Sequence, residues 1–179
     1  VPLIAVIVPT HNPHPGRLRR VLQGFQAQTL PFHDWEIVIV DNASSSFPDG
    51  DFFQSCAGAP LSIVHEPTLG LTWARRRGLA GARGNHAVLV DDDNVLAPGY
   101  LAEVTALFQR HPHVGSLGGK SVPEFEAAPP DGAREVGSVL AGRDPGPAPL
   151  ISAGLQPAGA TRNAYPAFAP IGAGMALRR

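Results

Sequence analysis

An α/β domain built on a doubly wound, mostly parallel sheet flanked by helices is the fold class this sequence predicts. Three observations predict it. Short β-branched runs alternate with stretches of helical spacing over the first 120 residues. The runs at Leu3–Val8, Ile37–Val40 and Ala87–Val90 are almost continuously apolar, the mark of strands buried on both faces of a parallel sheet. Each of these runs then opens directly into polar residues, and in doubly wound sheets ligands bind outside the carboxyl ends of the strands.

The elements follow in chain order. Leu3–Val8 is the first strand. Arg17–Ala27 carries Leu18, Val21, Leu22 and Phe25 at i, i+3, i+4 and i+7, which is one helix face. Glu36–Val40 is the second strand and Ser62–His65 the third. Trp73–Gly84 reads as a second helix, weakened by Gly78 and Gly81. Ala87–Val90 is the fourth strand. Pro98–Arg110 reads as a helix, with Pro98 near its first turn and Leu101, Val104, Leu107 and Phe108 on one face. After Gly115 the texture changes. Residues 120–170 hold 9 of the 19 prolines and 6 of the 20 glycines. No helix fits there, so the stretch reads as a long loop carrying binding groups or as partly disordered chain. Ile171–Leu177 turns apolar again and starts another element.

Composition removes several classes. The chain has 179 residues, of which 44% are apolar and 16% charged, against about 25% charged in an average globular domain. A net charge of −1 sets up no field that would draw in nucleic acid. The apolar runs fall far short of the roughly 18 residues that cross a bilayer. The single cysteine, Cys56, forbids an internal disulfide and a cysteine zinc cluster. No signal-like segment opens the sequence. The expected location is therefore the cytoplasm.

Three strand ends supply the candidate chemistry. The first delivers Pro9-Thr10-His11-Asn12, the second Asp41-Asn42-Ala43-Ser44, and the fourth Asp91-Asp92-Asp93-Asn94. Adjacent carboxylates repel one another unless a cation or strong donors compensate. Along an extended chain Asp91 and Asp93 would point one way and Asp92 the other. Two carboxylates on one side suit magnesium or manganese, which bind through one or two carboxylates plus substrate phosphates. On the triplet alone, a cap for the following turn explains the residues equally well. A calcium loop does not, because Leu96 and Ala102 stand where Gly and Glu are required. Arg75 and Arg76, at the start of a helix, can bind phosphate or a nearby aspartate, while Arg77 reads as a solvated face. No dinucleotide-binding glycine loop follows the first strand, no phosphate loop sits between a strand and a helix, and no nucleophilic serine motif is present.

As a set, Val6–Asn12, Glu36–Ser44, Gly70–Gly78 and Val88–Leu101 resemble family 2 glycosyltransferases of the GT-A fold. The family shows a first strand ending in Pro-Thr-Tyr-Asn, matched by Pro9-Thr10-His11-Asn12. A second strand ending in Asp-Asp/Asn-x-Ser is matched by Asp41-Asn42-Ala43-Ser44. A Gly-x-x-x-Ala-Arg-Asn-x-Gly stretch is matched by Gly70, Ala74, Arg75 and Gly78, and a Leu-Asp-Asp-Asp segment by Val90–Asp93 with Pro98 and Leu101. The resemblance covers residues 3–119, and Gly172-Ala173-Gly174-Met175 with Leu177-Arg178-Arg179 is similar to a downstream segment near the acceptor site. His11 replaces the family's Tyr and Arg76 its Asn.

The resemblance implies an inverting, metal-dependent transferase that uses a nucleotide-diphosphate sugar and acts in polysaccharide or glycoconjugate synthesis. Residues 1–119 would be the nucleotide-sugar-binding half of one GT-A domain, and 120–179 a loop-rich acceptor-side segment that stops short of the domain's end. Thr10 and Asp41 would contact the base, Asp91 the ribose, and Arg75 would support the base pocket. Pro9, His11, Asn12, Arg76 and Asp92 would complete the donor site. Asp93, with Asp91, would hold Mg or Mn. The general base would lie beyond Arg179, since nothing in the sequence places Glu124, Glu126, Asp131 or Glu135 in that role. The acceptor would be a saccharide or a lipid-linked saccharide, with peripheral association at a membrane face compatible with it. Two other readings fit the same strand ends: a nucleotide-diphosphate-binding domain without transfer activity, and a sugar-nucleotidyltransferase.

Overall fold

The computed structural model describes residues 3–54, 58–128, 131 and 174–179. The elements are β1 (Ile4–Thr10), α1 (Pro15–Gln26), a 3₁₀ turn (Phe32–Asp34), β2 (Trp35–Asn42), α2 (Gly50–Gln54), β3 (Leu61–Glu66), α3 (Leu71–Gly81), β4 (His86–Leu89), α4 (Tyr100–Arg110), β5 (Ser116–Leu117) and β6 (Met175–Arg178). They form a six-stranded sheet in the order β3-β2-β1-β4-β6-β5. β1 pairs in parallel with β2 and β4, and β2 in parallel with β3. β6 runs antiparallel to β4 and β5. The predicted α/β class with a mostly parallel sheet is the one observed. The apolar turn of sequence near the end of the chain becomes β6.

The sheet is covered on both faces. On one, Ile4, Val6, Val8, Ile37 and Ile39 pack against Leu18, Val21, Leu22 and Phe25 of α1 and Leu101, Val104 and Phe108 of α4. On the other, Ala5, Ile7, Val38, Val40, Ala87 and Leu89 meet Ala74 of α3. The residues that α3 turns toward this face are Ala74 and Gly78, so the helix lies close to the sheet. A Cβ at Gly78 would stand 2.3 Å from a methyl of Ile7 and 3.0 Å from one of Val40, which explains glycine in the middle of a helix despite its propensity cost.

Local signals set the boundaries. α1 starts at Pro15, whose missing N–H costs nothing there, and the His14 ring accepts from the Arg17 N–H at 3.4 Å. The helix expected over Trp73–Gly84 is α3, which ends at Gly81. Ala82 is already extended (φ −73, ψ 142), because the backbone N–H groups of Arg83 and Gly84 turn to the buried Glu36 carboxylate at 2.5 and 3.1 Å. The short α2, β5 and the 3₁₀ turn have no counterpart in the sequence reading, being too brief for periodicity to register. Among the described residues, no helix is long and apolar enough to cross a membrane. Cys56, Glu135, Gly172, Ala173 and most of the Pro- and Gly-rich stretch lie outside the described residues.

Candidate functional site

The strand order fixes where a ligand can sit. The chain leaves β1 through α1 for β2 on one side, then returns from β3 through α3 to β4 on the other. The connections therefore diverge between β1 and β4, and the crevice at that switch point, beyond the carboxyl ends of the strands, is where this architecture binds ligands. Thr10, Asp41 and the Asp91–Asn94 segment all end there.

The aspartate run does not continue as a strand. Asp92 and Asp93 form a turn closed by the Asn94 N–H donating to the Asp91 carbonyl at 3.1 Å. The strand-like alternation expected for the three carboxylates is thereby corrected: they diverge around a turn and meet different partners. Asp91 accepts from Arg75 Nη2 at 3.0 Å and from Asn94 Nδ2 at 3.4 Å. Asp92 accepts from the Thr10 hydroxyl. Burial raises the Asp92 carboxyl above its ordinary range, and the charges of Asp93 and Asp91 add to this against the Thr10 hydrogen bond. Asp93 is exposed and lines a cavity of about 850 Å³ together with Arg17, Arg20, Asn94, Tyr100 and Lys120. The turn reading and the cation reading of the triplet are thus compatible: Asp91 closes the turn, and Asp93 faces open space.

At the end of β2 the two polar residues have separate jobs. Burial pushes the Asp41 carboxyl up, but hydrogen bonds from Ser44 and His65 outweigh it and hold the group below its usual value. Asp41 Oδ1 accepts from the Ser44 N–H at 3.1 Å, and Oδ2 lies 3.2 Å from His65 Nδ1. Asn42 is buried and points to the other side. Its amide donates to the carbonyls of Glu66 and Thr68 at 3.2 and 2.7 Å and accepts from the Gly70 N–H at 2.8 Å. Gly70 has φ +140, a region that favours glycine. Asn42 and Gly70 together fix the entry to α3, and so the position of Arg75.

Pro9 and Thr10 are the buried last residues of β1. His11 and Asn12 are exposed loop residues. The His11 ring binds the Asn42 carbonyl at 2.8 Å. Asn12, at φ 49, accepts from the backbone of Ser45 and Ser46 at 2.8 and 3.1 Å. Both tie the loop after β1 to the loop after β2.

The arginines separate. Arg75 turns inward to Asp91, and its Nε is buried without a partner. Arg76 is exposed and lies over the Trp73 ring at 5.4 Å. A shift of one residue along a helix rotates a side chain about 100°, so the structure does not gather Arg76 with the other donor-site candidates. Arg77 is exposed, as expected.

Residues 120–128 run past the cavity. Glu126 accepts from Arg17 at 2.8 and 3.1 Å, and Glu124 from Arg20 at 2.6 Å. At the far side, the Tyr100 hydroxyl donates to the Gly174 carbonyl, and burial pushes its pKa up to about 12. Gln28 anchors the loop that follows the aspartates: it donates to the Ala97 carbonyl at 2.9 Å and accepts from the Leu101 N–H at 3.1 Å. Sequence reasoning assigned no role to Gln28, His65, Tyr100 or the Asn42 side chain. Asn42 alone had a signal, its place inside the second motif. The others act through contacts between residues distant in sequence.

A family model described as "Glycosyl transferase family 2" matches residues 5–148. The curated "Uncharacterized glycosyltransferase EpsJ" of Bacillus subtilis (strain 168) is 31% identical over 114 residues, 62% of this chain and 29% of that protein. The "Succinoglycan biosynthesis protein ExoW" of Rhizobium meliloti (strain 1021) is 29% identical over 103 residues, 55% of this chain and 31% of that protein. The chain spans at most 31% of the length of these relatives. Among solved structures, the mannosyltransferase PcManGT from Pyrobaculum calidifontis in complex with GDP-Man and Mn2+ superposes with a TM-score of 0.58 at 30% identity, covering 68% of this chain and 36% of that one. S. aureus TarS 1-349 in complex with UDP gives a TM-score of 0.61 at 24% identity, covering 72% and 38%, which is a likeness of fold.

Proposed function

The chain belongs to glycosyltransferase family 2, and from that premise we propose that it binds a nucleotide-diphosphate sugar for inverting, metal-dependent transfer to an acceptor hydroxyl in polysaccharide or glycoconjugate synthesis. The observation that carries this reading is the convergence of Thr10, Asp41, Arg75, Asp91 and Asp93 at the switch point between β1 and β4, with Asp93 opening onto the cavity. Residues 1–119 are read as the donor half and 120–179 as the acceptor side. Asp41 and Thr10 face the base, Asp91 the ribose, and Arg75, paired with Asp91, supports the base pocket.

The donor set at Asp93 fits a hard divalent cation. Its oxygens are accessible, and Asp91 is already engaged by Arg75. Among the described residues, no three His, Cys, Asp or Glu side chains group to hold a metal by themselves, so diphosphate oxygens would supply much of the shell, as magnesium and manganese sites commonly arrange. When bound, such a cation neutralises charge developing on the departing diphosphate. PcManGT, whose complex contains GDP-Man and Mn2+, supports the pairing. Inversion also needs a base within hydrogen-bond reach of the acceptor hydroxyl. Glu124 and Glu126 are held by Arg20 and Arg17, so we assign the base to neither.

Thermal unfolding with UDP, GDP or dTDP plus manganese tests the reading. Binding at a hundredfold excess over Kd stabilises by about 2.7 kcal/mol. The expected result is a raised midpoint with at least one of these nucleotides, with the stabilisation cut to about a third in Asp93→Ala. No shift with any of them removes donor binding. A shift without transfer to any acceptor by the full-length protein leaves a nucleotide-binding domain.

A further inference from the structure

We propose that His65 is a positioning residue that sets base selectivity by fixing the Asp41 carboxylate, an inference that rests on the donor-binding reading above. β1, β2 and β3 are in parallel register here: Thr10 pairs with Asp41, and Asp41 with His65. Register partners point to the same face of a sheet. The three side chains therefore form one row along the carboxyl edge of the sheet, beginning at the switch point.

Within that row, Asp41 is restrained from two sides. Ser44 N–H holds Oδ1 at 3.1 Å, and His65 Nδ1 stands 3.2 Å from Oδ2. An unprotonated ring nitrogen at that distance would repel the carboxylate, so Nδ1 carries the proton and donates. A carboxylate offers about four acceptor positions; those that Ser44 and His65 leave unfilled remain for a ligand, and these tethers decide their direction. The Asp41 side chain is 16% exposed and that of His65 61%, which leaves the pair reachable from solvent.

A nucleobase pairs most favourably with such a carboxylate through a ring N–H. Uracil and thymine present N3–H between two carbonyls. Guanine presents N1–H beside an exocyclic amine. Adenine and cytosine can offer an exocyclic amine, but a bare ring nitrogen stands beside it, which a carboxylate repels. The ligand class is thus a nucleoside diphosphate with a lactam-type base, and the choice within that class depends on where the free Asp41 positions point. With His65 removed, one tether is lost, the carboxylate rotates more freely, and the geometric distinction between a single and a paired donor edge blurs.

The test measures Kd for UDP, GDP, dTDP, ADP and CDP with manganese, using wild type, His65→Leu and His65→Asn, with inorganic pyrophosphate as the base-free probe. Asn keeps a donor nitrogen near the position of Nδ1. The expected result is that His65→Leu lowers the ratio of tightest to weakest binding among UDP, GDP and dTDP by about tenfold, the effect of one charge-assisted hydrogen bond. Pyrophosphate binding should not change, and His65→Asn should restore most of the ratio. Wild-type binding with an unchanged ratio in His65→Leu, an equal loss for every nucleotide and pyrophosphate, or failure of Asn to rescue, overturns the role of His65 while donor binding stands. Wild type that binds none of the nucleotides overturns the donor reading itself.

Discussion

The two ends of the sheet use their charged groups in opposite ways. At the amino ends of the strands, Glu36 is buried and accepts from Arg83 N–H, Arg83 Nε and Gly84 N–H at 2.5, 2.8 and 3.1 Å. Arg178 donates to the carbonyls of Val114, Phe108 and His111, closing the end of α4, and Arg179 to those of Ala82 and Gly84. Charge there satisfies backbone groups and holds loops in place. At the carboxyl ends, Asp41, Asp91 and Asp92 keep acceptor positions beyond those their protein partners fill, and Asp93 faces the cavity. Saturated charge contributes to stability, and unsaturated charge is available to a ligand. The comparison predicts that substitutions at one end will be read by denaturant and at the other by nucleotide.

The largest effect belongs to the saturated end. Glu36→Ala leaves two backbone donors unpaired and should cost about 3 kcal/mol of stability, read as a lower urea midpoint, while the folded fraction keeps its nucleotide affinity. An affinity loss comparable to the stability loss would break the comparison at once. Asp93→Ala is the mirror experiment. Stability should move by less than about 0.5 kcal/mol. Affinity for a nucleoside diphosphate with manganese, measured by calorimetry, should fall about thirtyfold, roughly 2 kcal/mol by the affinity relation. Equal loss with and without the metal would assign Asp93 a role other than holding the cation.

Asn42 sharpens the rule because it lies at the ligand end but is saturated. Asn42→Ala removes three hydrogen bonds that set the loop into α3 and should cost about 2 kcal/mol. Because the same loop positions Arg75 against Asp91, nucleotide affinity should also fall, by roughly tenfold. Loss of stability with full affinity would show that Arg75 is positioned by helix packing alone.

The legible part of this fold is the part written in local periodicity. Ile4–Val8 and Ile37–Val40 announce buried strands because a continuous β-branched run has few other uses. The strand ends also announced the site, since Asp41 and Asp91–Asp93 follow such runs directly. What local pattern could not carry was direction. An extended chain would alternate the aspartates, but the Asn94–Asp91 turn sends each to a separate partner. Arg76 and Arg75 look alike in sequence, yet one residue of helical rotation separates Trp73's neighbour from Asp91's. His65 and Gln28 were silent because their partners, Asp41, Ala97 and Leu101, are distant in sequence. Glycine at position 78 became intelligible only once α3 was seen resting on Ile7 and Val40.

The smallest predicted effect is also the one with opposite signs at the two ends. Burial and its aspartate neighbours raise the Asp92 pKa in the fold. Between its unfolded and folded values the native state holds more proton, so stability falls as pH rises through that window and stays lower above it. Asp92→Asn removes the titration while keeping an acceptor for the Thr10 hydroxyl. Its stability relative to wild type should therefore rise as pH climbs from the ordinary Asp value through the raised one, by no more than about 1 kcal/mol given the partial exposure of the site. At the amino end, burial and the Arg178 charge lower the His86 pKa from 6.5. There the unfolded chain takes the proton first as pH falls, so stability drops on acidification, and His86→Gln should flatten the profile near neutrality while leaving the acidic limb. Urea unfolding across pH on the two variants separates these contributions. A wild-type-like profile for Asp92→Asn would mean that the turn gives Asp92 enough water to offset its burial and its neighbours.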